Sequence, residues 1–253
     1  MKSMMTLGLA LVLFSFNSER KREAKMINER KIISKNEAKM QKKILIIGAS
    51  GRVGKLLTQN LLSKGHKVIG TSRAKDELFE HTNYTQIQLD LAQELDVISQ
   101  DFPEAIDTVY FVSGSRGKNL LQIDLHGAVK TMQVAESKGI ERYIMLSAVF
   151  SLSPHKWKSE GLESLTDYYL AKHYADLFLI NQTKLNYTIL QPGALTESKG
   201  SGTIELNVEH HGENSIENVA ETLSEILESA STFKKVISMQ DGHMPILKAL
   251  ENL

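Results

Sequence analysis

Tyr168 and Lys172 stand four residues apart in a segment of helical period, a spacing that puts both side chains on one helix face. An ammonium beside a phenol lowers the phenol's pKa, so the pair could give a proton to a carbonyl oxygen as hydride arrives, or take one in the reverse direction. Ser147 follows the apolar run Arg142 to Leu146, and the carboxyl end of a strand is where α/β sheets place ligand contacts. Its hydroxyl could polarise the same carbonyl. A tyrosine and a lysine at this spacing also occur in ordinary helices, as a half-buried ring beside a lysine stem. The set therefore needs an independent pointer to a cofactor.

That pointer lies near the start of the first apolar run. Lys43-Ile-Leu-Ile-Ile leads into Gly48-x-x-Gly51-x-x-Gly54 and then into a helix carrying Leu56, Leu57 and Leu61. Gly48 permits the tight turn, Gly51 lets backbone approach a pyrophosphate, and Gly54 lets the helix pack close to the sheet, while the helix N-terminus offers N–H groups to the anion. An NAD site usually has Asp or Glu at the end of the second strand, about 20 residues on, for the ribose 2′-hydroxyl. This chain has Thr71-Ser72-Arg73 there. A guanidinium suits a 2′-phosphate, and Arg52 inside the turn could add a second cation, so NADP(H) is the expected cofactor. Asp90, ending the third strand, could reach the adenine edge or cap a helix. The full expected binding set is Gly48, Ser50, Gly51, Arg52, Val53, Gly54, Arg73, Asp90, Leu91, Ser113, Gly114, Lys172 and Pro192.

The elements that must position these groups alternate along the chain. Apolar runs at Ile44 to Ile47, Lys67 to Thr71, Thr85 to Leu89, Thr108 to Val112, Arg142 to Leu146, Thr188 to Gln191 and Lys235 to Ser238 read as strands. Val53 to Ser63, Asn119 to Lys138, Thr166 to Thr183 and Ile216 to Glu228 read as helices, with Gly65 and Gly139 as C-terminal stops. Strand and helix in alternation predict an α/β, doubly wound parallel sheet of Rossmann type. The segment from Pro192 to about His211 reads as a substrate-side loop.

The chain has 253 residues, and Lys plus Arg (30) equals Asp plus Glu (30), so there is no net field to gather nucleic acid or an acidic membrane. With no cysteine, disulfides, a thiolate nucleophile and Cys-ligated metals are excluded, and the composition suits a reducing cytoplasm. Glu209-His210-His211-Gly-Glu213 reads as a solvated loop, since adjacent histidines do not share a face, and no metal site is expected. The apolar run Met4 to Phe16 is shorter than the roughly 20 residues needed to span a bilayer, and a polar, Lys/Arg-rich stretch follows it. Residues 1–39 are expected to lie outside the Rossmann domain of residues 40–253. They are either an anchor or tail, or the product of a start upstream of Met40.

From about Met40 to Leu253 the chain resembles the atypical short-chain dehydrogenase/reductases of the NAD(P)H-binding, NmrA-like type. The stretches that carry the likeness are Gly48-Ala-Ser-Gly-Arg-Val-Gly54, Ile123-Asp-Leu-His-Gly127, Tyr143-Ile-Met-Leu-Ser147, Asp167-Tyr-Tyr-Leu-Ala-Lys-His-Tyr-Ala-Asp176, Tyr187-Thr-Ile-Leu-Gln-Pro-Gly193 and Gly242-His-Met-Pro-Ile-Leu. The resemblance implies one Rossmann domain with a small C-terminal substrate cap, NADP(H) and a catalytic set of Ser147, Tyr168, Lys172 and Asp124. Two positions depart from it: the family's usual Arg-Pro-Gly is Gln191-Pro192-Gly193, and its active-site Asn position corresponds to Asp124. The expected function is an NADP(H)-dependent oxidoreductase for a small carbonyl, quinone or flavin-like substrate. The alternatives are an NADP(H) sensor without turnover and a sugar-nucleotide epimerase or dehydratase. The last normally has a larger C-terminal domain than the roughly 60 residues after Pro192.

Overall fold

Alternate residues of the first strand point to opposite faces of the sheet, and both faces are covered. The computed structural model describes residues 41–74, 76–158 and 162–253. The apolar run Met4 to Phe16 and the whole of residues 1–39 lie outside the described residues.

The strands and helices, in chain order, are β1 (Lys43–Ile47), α1 (Arg52–Ser63), β2 (Lys67–Thr71), β3 (Tyr84–Ile87), α2 (Leu95–Asp101), β4 (Thr108–Phe111), α3 (His126–Ser137), β5 (Arg142–Leu146), α4 (Thr166–Gln182), β6 (Asn186–Pro192), β7 (Ala194–Thr196), β8 (Thr203–Leu206), β9 (Glu213–Ser215), α5 (Ile216–Ile226), β10 (Lys235–Asp241), β11 (Met244–Pro245) and α6 (Ile246–Glu251). The main sheet runs β11-β8-β10-β6-β5-β4-β1-β2-β3. From β3 to β10 every pairing is parallel, and β8 pairs antiparallel with β10 and β11. Ile44 and Ile46 pack with Leu57 and Leu61 of α1 and Val219 and Leu223 of α5. Leu45 and Ile47 pack on the other side with Ile98 of α2, Met132 of α3 and Leu179 of α4. This is the doubly wound Rossmann arrangement, with its topological switch between β1 and β4.

Two expectations change. The helix expected over Asn119 to Lys138 begins as a π-helical turn, Leu120–Leu125, before becoming α3. The wider turn leaves Leu121 exposed and Asp124 buried, and such turns recur at functional sites. The loop expected between Pro192 and His211 holds β7 and β8 instead. β7 pairs with β9 in a separate two-stranded sheet, and β8 extends the main sheet. Their Gly- and Ser-rich flanks concealed strands only three and four residues long.

Candidate active site

The glycine turn is built as the spacing requires. Gly48 has φ +99°, and a Cβ there would stand 2.7 Å from the backbone nitrogen of Ser113, where the turns after β1 and β4 meet. A Cβ on Gly54 would stand 2.1 Å from the Gly48 carbonyl oxygen, and one on Gly51 at 3.2 Å from the same atom. The Gly51 N–H donates to the Gly48 carbonyl at 3.0 Å and closes the turn. Gly51 is the N-cap of α1, no side chain caps that end, and its first turn has no acidic residue. An uncapped N-terminus behind a turn that admits no side chain at Gly48 or Gly54 fits the pyrophosphate of a dinucleotide.

A cavity of about 460 Å³ opens beside this turn, within the range of small-ligand sites. It is lined by Gly51, Arg52 and Val53 from the turn, Ser113 and Gly114 after β4, and Asp124, Ser147, Tyr168, Lys172 and Pro192. Two halves of the chain, read separately from the sequence, thus face one space. Ser50 is exposed at the turn, while Gly48 and Gly54 form its floor. Arg52 pairs with Glu197 at 2.8 Å, and both side chains are largely exposed. Arg73 is exposed just beyond β2 and does not line the cavity. Asp90 accepts from the Ala92 N–H at 2.9 Å and shapes its own turn rather than capping α2, whose N-cap is Glu94. Leu91 is buried against Gly127.

The ionisable groups are held deep. Lys172 is buried and its ammonium donates to the Leu146 carbonyl at 3.2 Å, 5.8 Å from the centre of the Tyr168 ring. Burial lowers the Lys172 pKa, opposed by the charges of Asp124 and Asp176. Asp124 accepts from the Ser115 N–H at 3.0 Å. Tyr168 reverses the expectation from sequence: its phenol is pushed up, chiefly by burial and then by Asp124 and Asp176, and not down by Lys172. It is held in its protonated form.

Sequence reasoning missed the group behind Ser147. Asp176 follows Lys172 by four residues, as Lys172 follows Tyr168, so the same helical spacing could have found it. Its carboxyl is fully buried, and Oδ2 accepts from Ser147 Oγ at 2.8 Å, Ser151 Oγ at 2.5 Å and Gln191 Nε2 at 3.1 Å. Oδ1 is buried without a hydrogen-bond partner. Burial pushes the Asp176 pKa up to about 6, against the hydrogen bonds and Lys172. Gln191, a neutral amide, brings no positive charge to this carboxyl from β6. His211 lines the cavity, and Trp157 is buried, stacked on Tyr169 at 5.6 Å with its Nε1–H donating to the Phe150 carbonyl at 2.8 Å.

The switch-point turn and the cavity beside it define a Rossmann dinucleotide-binding protein. The NAD(P)H-binding family model matches residues 48–230, and the chain belongs to that family. The oxidoreductase ylbE from Lactococcus lactis is 42% identical with a TM-score of 0.80, covering 83% of this chain and 96% of that one. A Bacillus subtilis protein named as the uncharacterized sugar epimerase YhfK is 31% identical, over 83% of this chain and 100% of its own length. The Saccharomyces cerevisiae protein YMR090W is 32% identical over 83% of this chain and 98% of its length. Among the described residues, no helix is long and apolar enough to cross a membrane.

Proposed function

We propose that the protein is an NADP(H)-dependent oxidoreductase that reduces a small carbonyl, quinone or flavin-like substrate. The observation that carries this reading is the shared cavity: the turn at Gly51 to Val53 and the set Ser147, Tyr168 and Lys172 line one space. Gly48, Gly51 and Gly54 would hold the pyrophosphate on the α1 N-terminus. Arg73 and Arg52 are the groups for the 2′-phosphate, with Arg52 giving up its exposed pairing with Glu197 at little cost. When bound, the reduced nicotinamide supplies the hydride.

The residues supply the rest. A phenol held protonated by burial is a proton donor, so Tyr168 gives its proton to the substrate oxygen, which favours the direction of reduction. Lys172, fixed to the Leu146 carbonyl, offers a buried cation to the hydroxyls of the cofactor ribose. Asp124, one of the two acids acting on Lys172, favours its charged form against the cost of burial. Pro192 and Leu146 give the cavity apolar walls.

Consumption of NADPH against a panel of carbonyls, quinones and flavins tests the reading. Steady oxidation supports it, whereas binding without turnover favours a nucleotide sensor. The name of the Bacillus subtilis relative supports a second reading, a sugar-nucleotide epimerase. Addition of sugar nucleotides to the same protein discriminates the two, since an epimerase would raise its melting temperature with them and consume no NADPH.

A further inference from the structure

Besides His211, the charged side chains lining the cavity among the described residues are Arg52, Arg116, Asp124 and Lys172. Three of them are engaged: Arg52 with Glu197 at 2.8 Å, Lys172 with the Leu146 carbonyl at 3.2 Å, and Asp124 with the Ser115 N–H at 3.0 Å. Arg116 is exposed, and no carboxylate among the described residues pairs with it. The backbone fixes where it stands. Arg116 has φ +55°, a region that L side chains rarely enter, and Gly117 follows at φ +79°. The two form the centre of a tight turn closed by the Lys118 N–H, which donates to the Ser115 carbonyl at 3.2 Å, and the base of that turn is tied to the buried Asp124 through the Ser115 N–H. Glycine would adopt this φ without strain, so an arginine held there points to a use for its side chain.

We propose that Arg116 binds an anionic group of the substrate, a carboxylate or a phosphate, while Ser147 and Tyr168 hold its carbonyl oxygen. The carbonyl end of this ligand rests on the oxidoreductase reading; the anion end does not. Strand order separates Arg116 from the groups assigned to the cofactor's 2′-phosphate. The turn follows β4, which lies between β1 and β5 in the sheet, and Ser147 follows β5, whereas Arg73 follows β2 on the opposite side of β1. Arg116 and Ser147 thus reach one cavity from neighbouring strand ends on the same side of the switch point. A guanidinium matches carboxylate and phosphate alike, since its fork can pair with two oxygens of either. Val149, Leu162 and Leu195 line the same space, so the ligand that fits is a small apolar body carrying a carbonyl and an anion.

Three aldehydes test this on the full chain: 4-carboxybenzaldehyde, 4-formylphenyl phosphate and the uncharged methyl 4-formylbenzoate, each with NADPH. Arg116→Gly removes the guanidinium and suits the backbone at φ +55°. The ratio of kcat/KM for an anionic aldehyde to that for the ester, compared between wild type and variant, cancels the aldehydes' differing intrinsic reactivity. It should fall by about tenfold or more in Arg116→Gly for at least one anion, as expected from one charge-assisted contact, and the anion with the larger fall tells carboxylate from phosphate. A ratio unchanged for both anions overturns the proposal. Weaker binding of NADPH and NADH alike in Arg116→Gly, with the ratio unchanged, would place the guanidinium on the cofactor pyrophosphate and overturns it too. Should no aldehyde be reduced, calorimetric titration of the two anions into the protein with NADP+ decides. Binding about tenfold weaker in Arg116→Gly supports the anion site and refutes the oxidoreductase reading alone, whereas equal binding, or none, overturns the proposal.

Discussion

Asp176→Asn is expected to stabilise the folded protein at neutral pH. The wild-type carboxyl is fully buried, one oxygen has no partner, and its pKa is about 6 against an ordinary 3.8. Each unit is worth about 1.4 kcal/mol, so the folded state loses up to about 3 kcal/mol by holding this group ionised. The sign follows from proton counts: between pH 4 and 6 the folded state binds more protons here than the unfolded chain, so stability falls as pH rises through that window. The loss is complete above about pH 6. The amide has no charge to bury and keeps one oxygen for the Ser147 and Ser151 hydroxyls, although its NH2 then faces the space where Oδ1 had no partner. A net gain of about 1 to 3 kcal/mol at pH 7.5 is expected, and the gain should vanish near pH 4. Urea unfolding of both proteins at pH 4.5, 6 and 7.5 reads this directly. A variant less stable than wild type at pH 7.5, or a difference that does not shrink toward acid, would refute the reasoning.

Other substitutions address the remaining roles. Tyr168→Phe should lower kcat by about 100-fold or more with cofactor affinity nearly constant, as steady-state and binding measurements would show. Gly54→Ala should abolish cofactor binding in fluorescence titration, because its Cβ would stand 2.1 Å from the Gly48 carbonyl that shapes the turn. Arg73→Ala should narrow the preference for NADPH over NADH by about tenfold, measured by titrating both cofactors.

Local signals carried most of the cofactor half of the site. The turn from Gly48 to Gly54 needs only neighbours in sequence to be recognised, and the buried strand before it and amphipathic helix after it confirm its place. Ser147, Tyr168 and Lys172 were legible because strand ends and four-residue helical spacings survive folding unchanged. What escaped depends on contacts distant in sequence. The Asp176 carboxyl gathers Ser147, Ser151 and Gln191 from separate elements, and the upward shift of Tyr168 depends on burial. Neither appears in the four-residue spacing that suggested a lowered phenol. The π-helical turn at Leu120–Leu125 escaped because its apolar pattern runs continuously into α3. β7 and β8 escaped because strands this short are specified by their partners β9 and β10 rather than by their own composition.

The central claim is that the turn at Gly48, Gly51 and Gly54, together with Arg52 and Arg73, holds NADP(H) beside Tyr168. Calorimetric titration of the full chain with NADPH and with NADH tests it most directly. The account predicts saturable binding of both, with NADPH at least about tenfold tighter, as expected from one charge-assisted contact to the 2′-phosphate. Equal affinities would contradict the assignment of Arg73 and Arg52, and binding of neither nucleotide would contradict the site itself.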